Sequence, residues 1–129
     1  MRGTTTRATG VGGIFLRAAD PEKLHAWYEE HPGVKRTPDG AFAFFSEGPR
    51  EMTVFAFFPK DTDYFGSGKQ QAMVNLRVDD LDAVLETLRA AGADIDPKRE
   101  DHDYGRFAWF SDPEGNRVEL WQPPGISET

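Results

Sequence analysis

Short stretches in the first half of the chain recur about 60 residues later in the second half. Leu16-Arg17 and Asp20 recur as Leu76-Arg77 and Asp80. The recurrence continues at offsets of 64 or 65 residues, with Phe42-Ala43-Phe44-Phe45-Ser46 matching Phe107-Ala108-Trp109-Phe110-Ser111, Val54 matching Val118 and Pro59 matching Pro123. A repeat on this scale indicates one supersecondary unit that occurs twice. This constrains the fold more than any other feature of the sequence.

Each half has the pattern of a strand, a helix and then three strands. In the first half, the predicted elements are a strand over 13–18, a helix that begins at Asp20-Pro21 and ends at His31-Pro32-Gly33, and strands over 34–36, 41–45 and 52–58. In the second half, they are a strand over 73–78, a helix between Asp80 and Gly92, and strands over 93–97, 106–111 and 117–121.

The predicted fold class is therefore α+β, with two tandem βαβββ units that form a concave mixed sheet and place their helices on its outer face. We expect a single domain over 11–124, with units at about 11–60 and 72–124 and a linker at 61–71. Residues 1–10 and 125–129 are expected to be terminal tails. The whole chain has 129 residues, which suits one ordinary domain.

Composition excludes several classes of function. The net charge of −7 argues against a general nucleic-acid or acidic-membrane binder, because such proteins present a basic face. The chain contains no Cys, which excludes disulfides, zinc–thiolate sites and thiol nucleophiles and fits a cytoplasmic location. It also has no apolar run long enough to span a membrane.

Two tandem βαβββ units of this length resemble the vicinal oxygen chelate superfamily. That group includes glyoxalase I, bleomycin-resistance proteins, fosfomycin-resistance transferases and extradiol dioxygenases. The most specific similarity is the closing hairpin Asp112-Pro113-Glu114-Gly115-Asn116-Arg117-Val118-Glu119-Leu120, and Asp20-Pro21 and Asp80-Leu81-Asp82 are similar to the family's helix starts.

The resemblance implies a ligand cavity, but it does not imply the family's metal. Family enzymes hold a divalent ion with four side chains. One lies early in the first strand of each unit, and the other two are acids, one in the last strand of each unit. Those positions fall here on Gly13, Met73, Phe55 and Glu119. Only Glu119 offers a hard oxygen ligand, so we predict no metal and no other cofactor.

Strand alternation predicts which side chains face this cavity. In each first strand, one face is purely apolar and is assigned to the helix side, while the other carries polar and aromatic residues. The candidate ligand-binding residues on the second face are Phe15, Arg17, Phe55, Phe57, Met73, Asn75, Arg77 and Trp121. The strand over 107–110 is aromatic on both faces and cannot be oriented in this way.

Glu119 is the candidate catalytic residue. The competing interpretation is a structural ion pair with Arg77 or Arg17. Phe55 and Phe57 either stack a flat ligand or fill space that a metal and its waters occupy in relatives. Arg77 either binds an anionic group or forms a structural pair with a carboxylate.

Two loops remain open to two interpretations each. Tyr64 and Phe65 lie in the predicted linker and either belong only to it or fold back over the cavity. His102 lies in the polar segment 100–105, which is either a solvated loop or a lid at the cavity mouth.

The sequence thus predicts a protein that binds a small organic molecule without a metal, in the manner of the bleomycin-resistance branch. One alternative is a lyase, isomerase or dioxygenase-type enzyme that uses Glu119 as base or metal ligand. Another is a structural or interaction domain. A homodimer is expected from the family and from the sheet edges that such folds leave exposed.

Overall fold

The computed structural model describes residues 7–34, 36, 42–44, 52–66 and 69–124, with the backbone alone for 42–44. The elements in chain order are β1 (Ala8–Ala18), α1 (Pro21–Glu30), β2 (Phe42–Phe44), β3 (Thr53–Pro59), β4 (Ala72–Val78), α2 (Leu81–Ala90), β5 (Asp94–His102), β6 (Gly105–Ser111) and β7 (Arg117–Gln122). The predicted α+β class, with a mixed sheet and two helices, is confirmed.

The described strands form one sheet of seven strands in the order β2-β3-β1-β4-β7-β6-β5. β1 and β4 lie side by side at its centre and are antiparallel. β3 runs parallel to β1, and β7 runs parallel to β4, so each central strand has the last strand of its own half as its other neighbour. Asn75 on β4 is paired with Glu119 on β7, and Phe15 on β1 is paired with Ala56 on β3.

Each helix begins at the predicted aspartate. The side chains of Asp20 and Asp80 accept hydrogen bonds from the backbone N–H groups of Lys23 and Ala83, at 3.2 and 3.1 Å, and so cap α1 and α2. Gly92 follows α2 with φ of +80°, in the left-handed conformation that commonly ends helices.

The two helices cover the outer face of the sheet. α2 packs over β4, β6 and β7 in a core of Val78, Leu81, Val84, Leu85, Ala108 and Leu120. α1 packs over β1 and β3 in a smaller core that contains Ala18 and Phe57. Neither described helix is long and apolar enough to cross a bilayer.

Some boundaries differ from those expected. β1 begins at Ala8, so residues 8–10 belong to the sheet rather than to a tail; Thr9 donates a hydrogen bond to the carbonyl of Arg77 at 3.1 Å. β5 continues to His102, well beyond the predicted end at Pro97. The strand predicted over 34–36 is described only at Val34 and at Arg36, which forms an isolated bridge, and residues 1–6 and 125–129 lie outside the described part of the chain.

Candidate ligand-binding site

A cavity of about 270 Å³ lies on the face of the sheet opposite the helices. We call it the central cavity. It draws on both halves of the chain, and its lining residues are Gly12, Phe15, Met52, Val54, Ala56, Phe58, Tyr64, Asn75, Glu100, His102, Tyr104, Phe107 and Trp121. Because side chains alternate along each strand, the residues between these lining positions point to the helix side of the sheet.

The walls are mainly aromatic. The rings of Phe107 and Trp121 are nearly parallel, at an interplanar angle of 6° with centroids 6.3 Å apart. Those of Phe58 and Tyr64 are also nearly parallel, at 6° and 5.0 Å. The Trp121 indole N–H donates to the carbonyl of Tyr104 at 2.8 Å, which fixes the ring against the β5–β6 turn. Such walls favour a flat apolar ligand.

Behind this wall lies the buried carboxylate of Glu119, which accepts hydrogen bonds from Tyr64, Asn75 and Trp109. We call these four residues the Glu119 network. Asn75 Nδ2 donates to Glu119 Oε1 at 2.6 Å, and Trp109 Nε1 donates to Oε2 at 3.0 Å. The Tyr64 hydroxyl also donates to Oε2. Glu119 is only 1% exposed, so its carboxylate is shielded from solvent.

The network changes the acidity of its members. Burial raises the pKa of Glu119 above its ordinary value, although hydrogen bonds from Tyr64, Asn75 and Trp109 oppose that shift. Burial and the nearby Glu119 charge raise the pKa of Tyr64, so its hydroxyl stays protonated and remains a donor.

Asn75 is oriented by this network. Because a carboxylate only accepts hydrogen bonds, the amide must turn Nδ2 toward Glu119 and Oδ1 away from it. Oδ1 then lies beside Gly12, where a Cβ atom would come within 2.4 Å of it, and no hydrogen-bond partner reaches it. Gly12 is thus needed for the close approach of β1 to the Asn75 amide and the Trp121 ring.

Among the nine predicted site residues, the structure places three on the cavity lining: Phe15, Asn75 and Trp121. Met73 is fully buried on the same face of the sheet, packed with Phe15, Phe65 and Trp109 behind the lining. Tyr64 lines the cavity, so the predicted linker does fold back over it. His102 lies at the cavity as well, together with Glu100 and Tyr104 from the same polar segment.

The predicted orientation of β3 is wrong. Phe55 and Phe57 face α1, where the Phe57 ring lies 4.8 Å from that of His25 and the Phe55 ring lies 5.4 Å from that of Tyr28. The cavity side of β3 carries Val54, Ala56 and Phe58 instead. The error is one residue of register, which moves every side chain to the opposite face.

The two predicted arginines do not reach the cavity, nor does either pair with Glu119. Arg77 donates to the carbonyls of Val11 and Met52, at 3.2 and 2.6 Å. Arg17 donates to the carbonyls of Gln70, Lys60 and Thr62, each at 2.8 Å. Both guanidinium groups therefore stabilise the backbone of neighbouring loops and strands. Among these described residues, the expected ion pair between Glu119 and Arg77 or Arg17 is absent, and Glu119 instead accepts hydrogen bonds from Tyr64, Asn75 and Trp109.

The residues present do not fit the divalent metal of the resembled family. By the observed pairing, the position that corresponds to Glu119 in the first half is Ala56 rather than Phe55. The four positions thus carry Gly13, Met73, Ala56 and Glu119, which offer a single oxygen-bearing side chain. Within the described part of the chain, no three His, Cys, Asp or Glu side chains are grouped to hold a metal ion.

Comparison with known proteins identifies the family. The family model of the glyoxalase-like domain matches residues 13–121, so the chain belongs to that family. This confirms the predicted relationship to the vicinal oxygen chelate superfamily. A search of curated proteins finds no match.

Several solved structures share the fold. Methylmalonyl-CoA epimerase in complex with methylmalonyl-CoA and NH4+ superposes with a TM-score of 0.70 at 12% identity, over 93% of this chain and 98% of that one. A Streptomyces coelicolor methylmalonyl-CoA epimerase variant in complex with 2-nitronate-propionyl-CoA gives 0.71 at 11% identity, over 95% and 100%. The Mycobacterium tuberculosis methylmalonyl-CoA epimerase gives 0.62 at 19% identity, over 95% and 93%. At these identities the likeness concerns the fold alone.

Proposed function

We propose that this protein binds a small, flat organic molecule in the central cavity and needs no metal ion to do so. The observation that carries the proposal is the combination of an aromatic cavity with a family carboxylate that is buried and held by three hydrogen-bond donors. Phe15, Phe58, Phe107 and Trp121 supply apolar surface on opposite sides of the sheet's concave face. Burial of an aromatic ligand among them supplies the binding free energy.

The state of Glu119 supports the absence of a metal. Its two oxygens accept three hydrogen bonds from Tyr64, Asn75 and Trp109. A bound cation would have to displace these donors, and no second carboxylate or imidazole stands at the other family positions to complete its coordination.

The same contacts disfavour Glu119 as a catalytic base. A base must reach the proton that it removes, but Glu119 is 1% exposed and lies behind Tyr64 and Asn75. Two of the similar epimerase structures contain CoA thioesters, whose phosphates call for cationic partners. No Lys or Arg occurs among the described residues that line this cavity. We therefore favour binding over CoA-dependent catalysis.

The proposal is tested by protein-observed 1H–15N NMR titration with two neutral aromatic compounds, tert-butylbenzene and indole. We expect saturable binding and a shift of the Trp121 Nε1–H resonance, because Trp121 lines the cavity. The Trp27 resonance should stay in place, since Trp27 is 51% exposed on α1.

A cavity-filling variant localises the binding. Ala56→Leu adds bulk to the cavity wall and should weaken the binding of both compounds at least about fivefold. Ala90→Leu makes the same change on an exposed helical turn and should leave binding unaltered. If neither compound binds the wild type, the chain is better described as a structural domain. If Ala56→Leu binds both compounds as tightly as the wild type, binding lies outside the central cavity and the proposal is wrong.

A further inference from the structure

Building on the proposed binding function, we propose that the central cavity selects a cationic ligand: an aromatic or alkyl ammonium compound with Glu100 as its counter-ion. The inference concerns the charge of the ligand, which the aromatic walls alone do not determine. It follows from three features of the cavity: its aromatic rings, the Glu100 carboxylate in its lining, and the contacts made by the neighbouring cations.

The first feature is the number of aromatic rings. Six of the thirteen lining residues carry a phenyl, phenol or indole ring: Phe15, Phe58, Tyr64, Tyr104, Phe107 and Trp121. The faces of such rings carry negative electrostatic potential and attract an ammonium group within about 6 Å of the ring centre. A carboxylate or phosphate would be repelled by the same faces.

The second feature is the charge of the lining. Glu100 lies on β5, lines the cavity and has a side chain 33% exposed. Hydrogen bonds from His102 and Lys98 lower the pKa of Glu100, which keeps its carboxylate ionised at neutral pH. His102 Nε2 lies 2.9 Å from Oε1, and Lys98 Nζ lies 3.1 Å from Oε2. Each carboxylate oxygen accepts more than one partner, so capacity remains for a ligand ammonium.

The third feature is the position of the neighbouring cations. Lys98 extends over the ring of Trp109, at 5.3 Å, and does not line the cavity. Arg117 lies over the same ring at 5.4 Å and is paired with Asp96. Arg17 and Arg77 donate to main-chain carbonyls, and the Lys98 ammonium is already paired with Glu100. None of these four cations lines the cavity, and each already has an acceptor.

A matched series of small ligands tests the inference. Phenyltrimethylammonium and tert-butylbenzene have the same shape and differ in charge, and benzoate supplies the anion. In NMR titrations we expect the wild type to bind phenyltrimethylammonium about five- to tenfold more tightly than tert-butylbenzene, and benzoate most weakly.

Two variants locate the source of that preference. Glu100→Gln keeps the size of the side chain and removes its charge, so it should weaken phenyltrimethylammonium at least about threefold while tert-butylbenzene is unchanged. Glu114→Gln makes the same change in net charge in the exposed β6–β7 turn, at the far end of β6 from the cavity, and should keep the wild-type ratio. Thermal unfolding of both variants checks that they are folded.

The possible failures are distinguishable. Equal binding of phenyltrimethylammonium and tert-butylbenzene, stronger binding of benzoate, or an unchanged ratio in Glu100→Gln would overturn the inference and leave the binding function intact. Binding of none of the three compounds would overturn the proposed function and the inference together.

Discussion

Asn75 and Glu119 occupy paired positions on the adjacent parallel strands β4 and β7, and the Asn75 amide donates to the Glu119 carboxylate at 2.6 Å. The equivalent pair in the other half is Phe15 and Ala56, on β1 and β3. One half thus carries a polar pair and the other an apolar pair at the same place in the fold. Because of this asymmetry, only the second half places a buried acid behind the aromatic wall of the central cavity.

The buried acid gives a specific pH dependence of stability. Burial raises the pKa of Glu119 in the folded protein, whereas in the unfolded chain it returns to about 4.3. The folded state therefore holds the proton more tightly, and stability falls as the pH rises from about 4.3 through the raised folded value. The slope within that window is at most about 1.4 kcal/mol per pH unit.

Glu119→Gln should lack this decline, because the amide does not titrate. Urea unfolding of both proteins between pH 4 and 8, followed by tryptophan fluorescence, gives the difference in the free energy of unfolding. We expect that difference to favour the wild type most at the acid end and to shrink as the pH rises. A difference that is constant, or that grows with pH, would contradict the assignment.

Removal of the Tyr64 hydroxyl should destabilise the folded protein. Tyr64→Phe deletes a donor to the buried Glu119 carboxylate and leaves Oε2 with Trp109 alone. We expect a loss of about 1–3 kcal/mol in the free energy of unfolding at pH 7. Tyr104→Phe is the control: Tyr104 is 60% exposed, and loss of its hydroxyl should change stability by less than about 0.5 kcal/mol. Equal effects of the two variants would show that the hydroxyl of Tyr64 does not anchor this segment.

Metal removal should leave the protein unchanged. A metal that binds only the folded state raises the unfolding temperature, and its removal lowers it. We expect the same melting temperature and the same tert-butylbenzene affinity after dialysis against EDTA and after addition of Mg²⁺, Mn²⁺, Co²⁺, Ni²⁺ or Zn²⁺. Elemental analysis of protein purified without chelator should find far less than one equivalent. A near-equimolar metal content that is lost in Glu119→Gln would refute metal independence.

The sequence predicted the faces of the strands that alternate between polar and apolar residues. On β4, Met73, Asn75 and Arg77 face away from α2, as the alternation indicated, because a buried polar side chain on the helix side would be costly. On β7, Leu120 packs under α2 and Glu119 lies on the other side. These strands also supplied Asn75 and Trp121 as candidate cavity residues.

β3 could not be oriented reliably because both of its faces are apolar. Its sequence, Thr53-Val54-Phe55-Ala56-Phe57-Phe58-Pro59, contains no charged residue that would mark one face. The match of Val54 with Val118 implied that β3 and β7 are related by an offset of 64 residues. In the structure, Ala56 pairs with Phe15 as Glu119 pairs with Asn75, which makes the offset 63. Local similarity among aromatic residues was too weak to fix a register to one residue.

The hydrogen-bond partners of Glu119 could not be predicted from local sequence patterns, because one of them is distant in the sequence. Tyr64 and Glu119 are 55 residues apart, and their contact depends on how the segment between the two halves folds back. The sequence raised the return of Tyr64 over the cavity as one of two alternatives. It contained no signal that the buried acid would be satisfied by neutral donors rather than by an arginine.

The two adjacent phenylalanines of β3 provide a test of the corrected orientation. Phe57 is 6% exposed and packs with His25 and Tyr28 under α1, while Phe58 lines the cavity and stacks on Tyr64 at 5.0 Å. Phe57→Leu should cost about 1–3 kcal/mol of stability, because the smaller side chain leaves space in the core beneath the helix, and it should leave tert-butylbenzene affinity unchanged. Phe58→Leu should instead weaken tert-butylbenzene several-fold, since it removes a ring from the cavity wall.

The two variants carry the same chemical change at neighbouring positions, so each controls for the other. Aromatic NMR signals provide a second readout that needs no ligand. Phe58→Leu should shift the ring signals of Tyr64, and Phe57→Leu those of His25 and Tyr28, because ring currents act over the short centroid distances observed here. The reverse pattern, with Tyr64 and ligand binding sensitive to Phe57 rather than to Phe58, would restore the orientation first expected from the repeat and move the cavity wall by one residue.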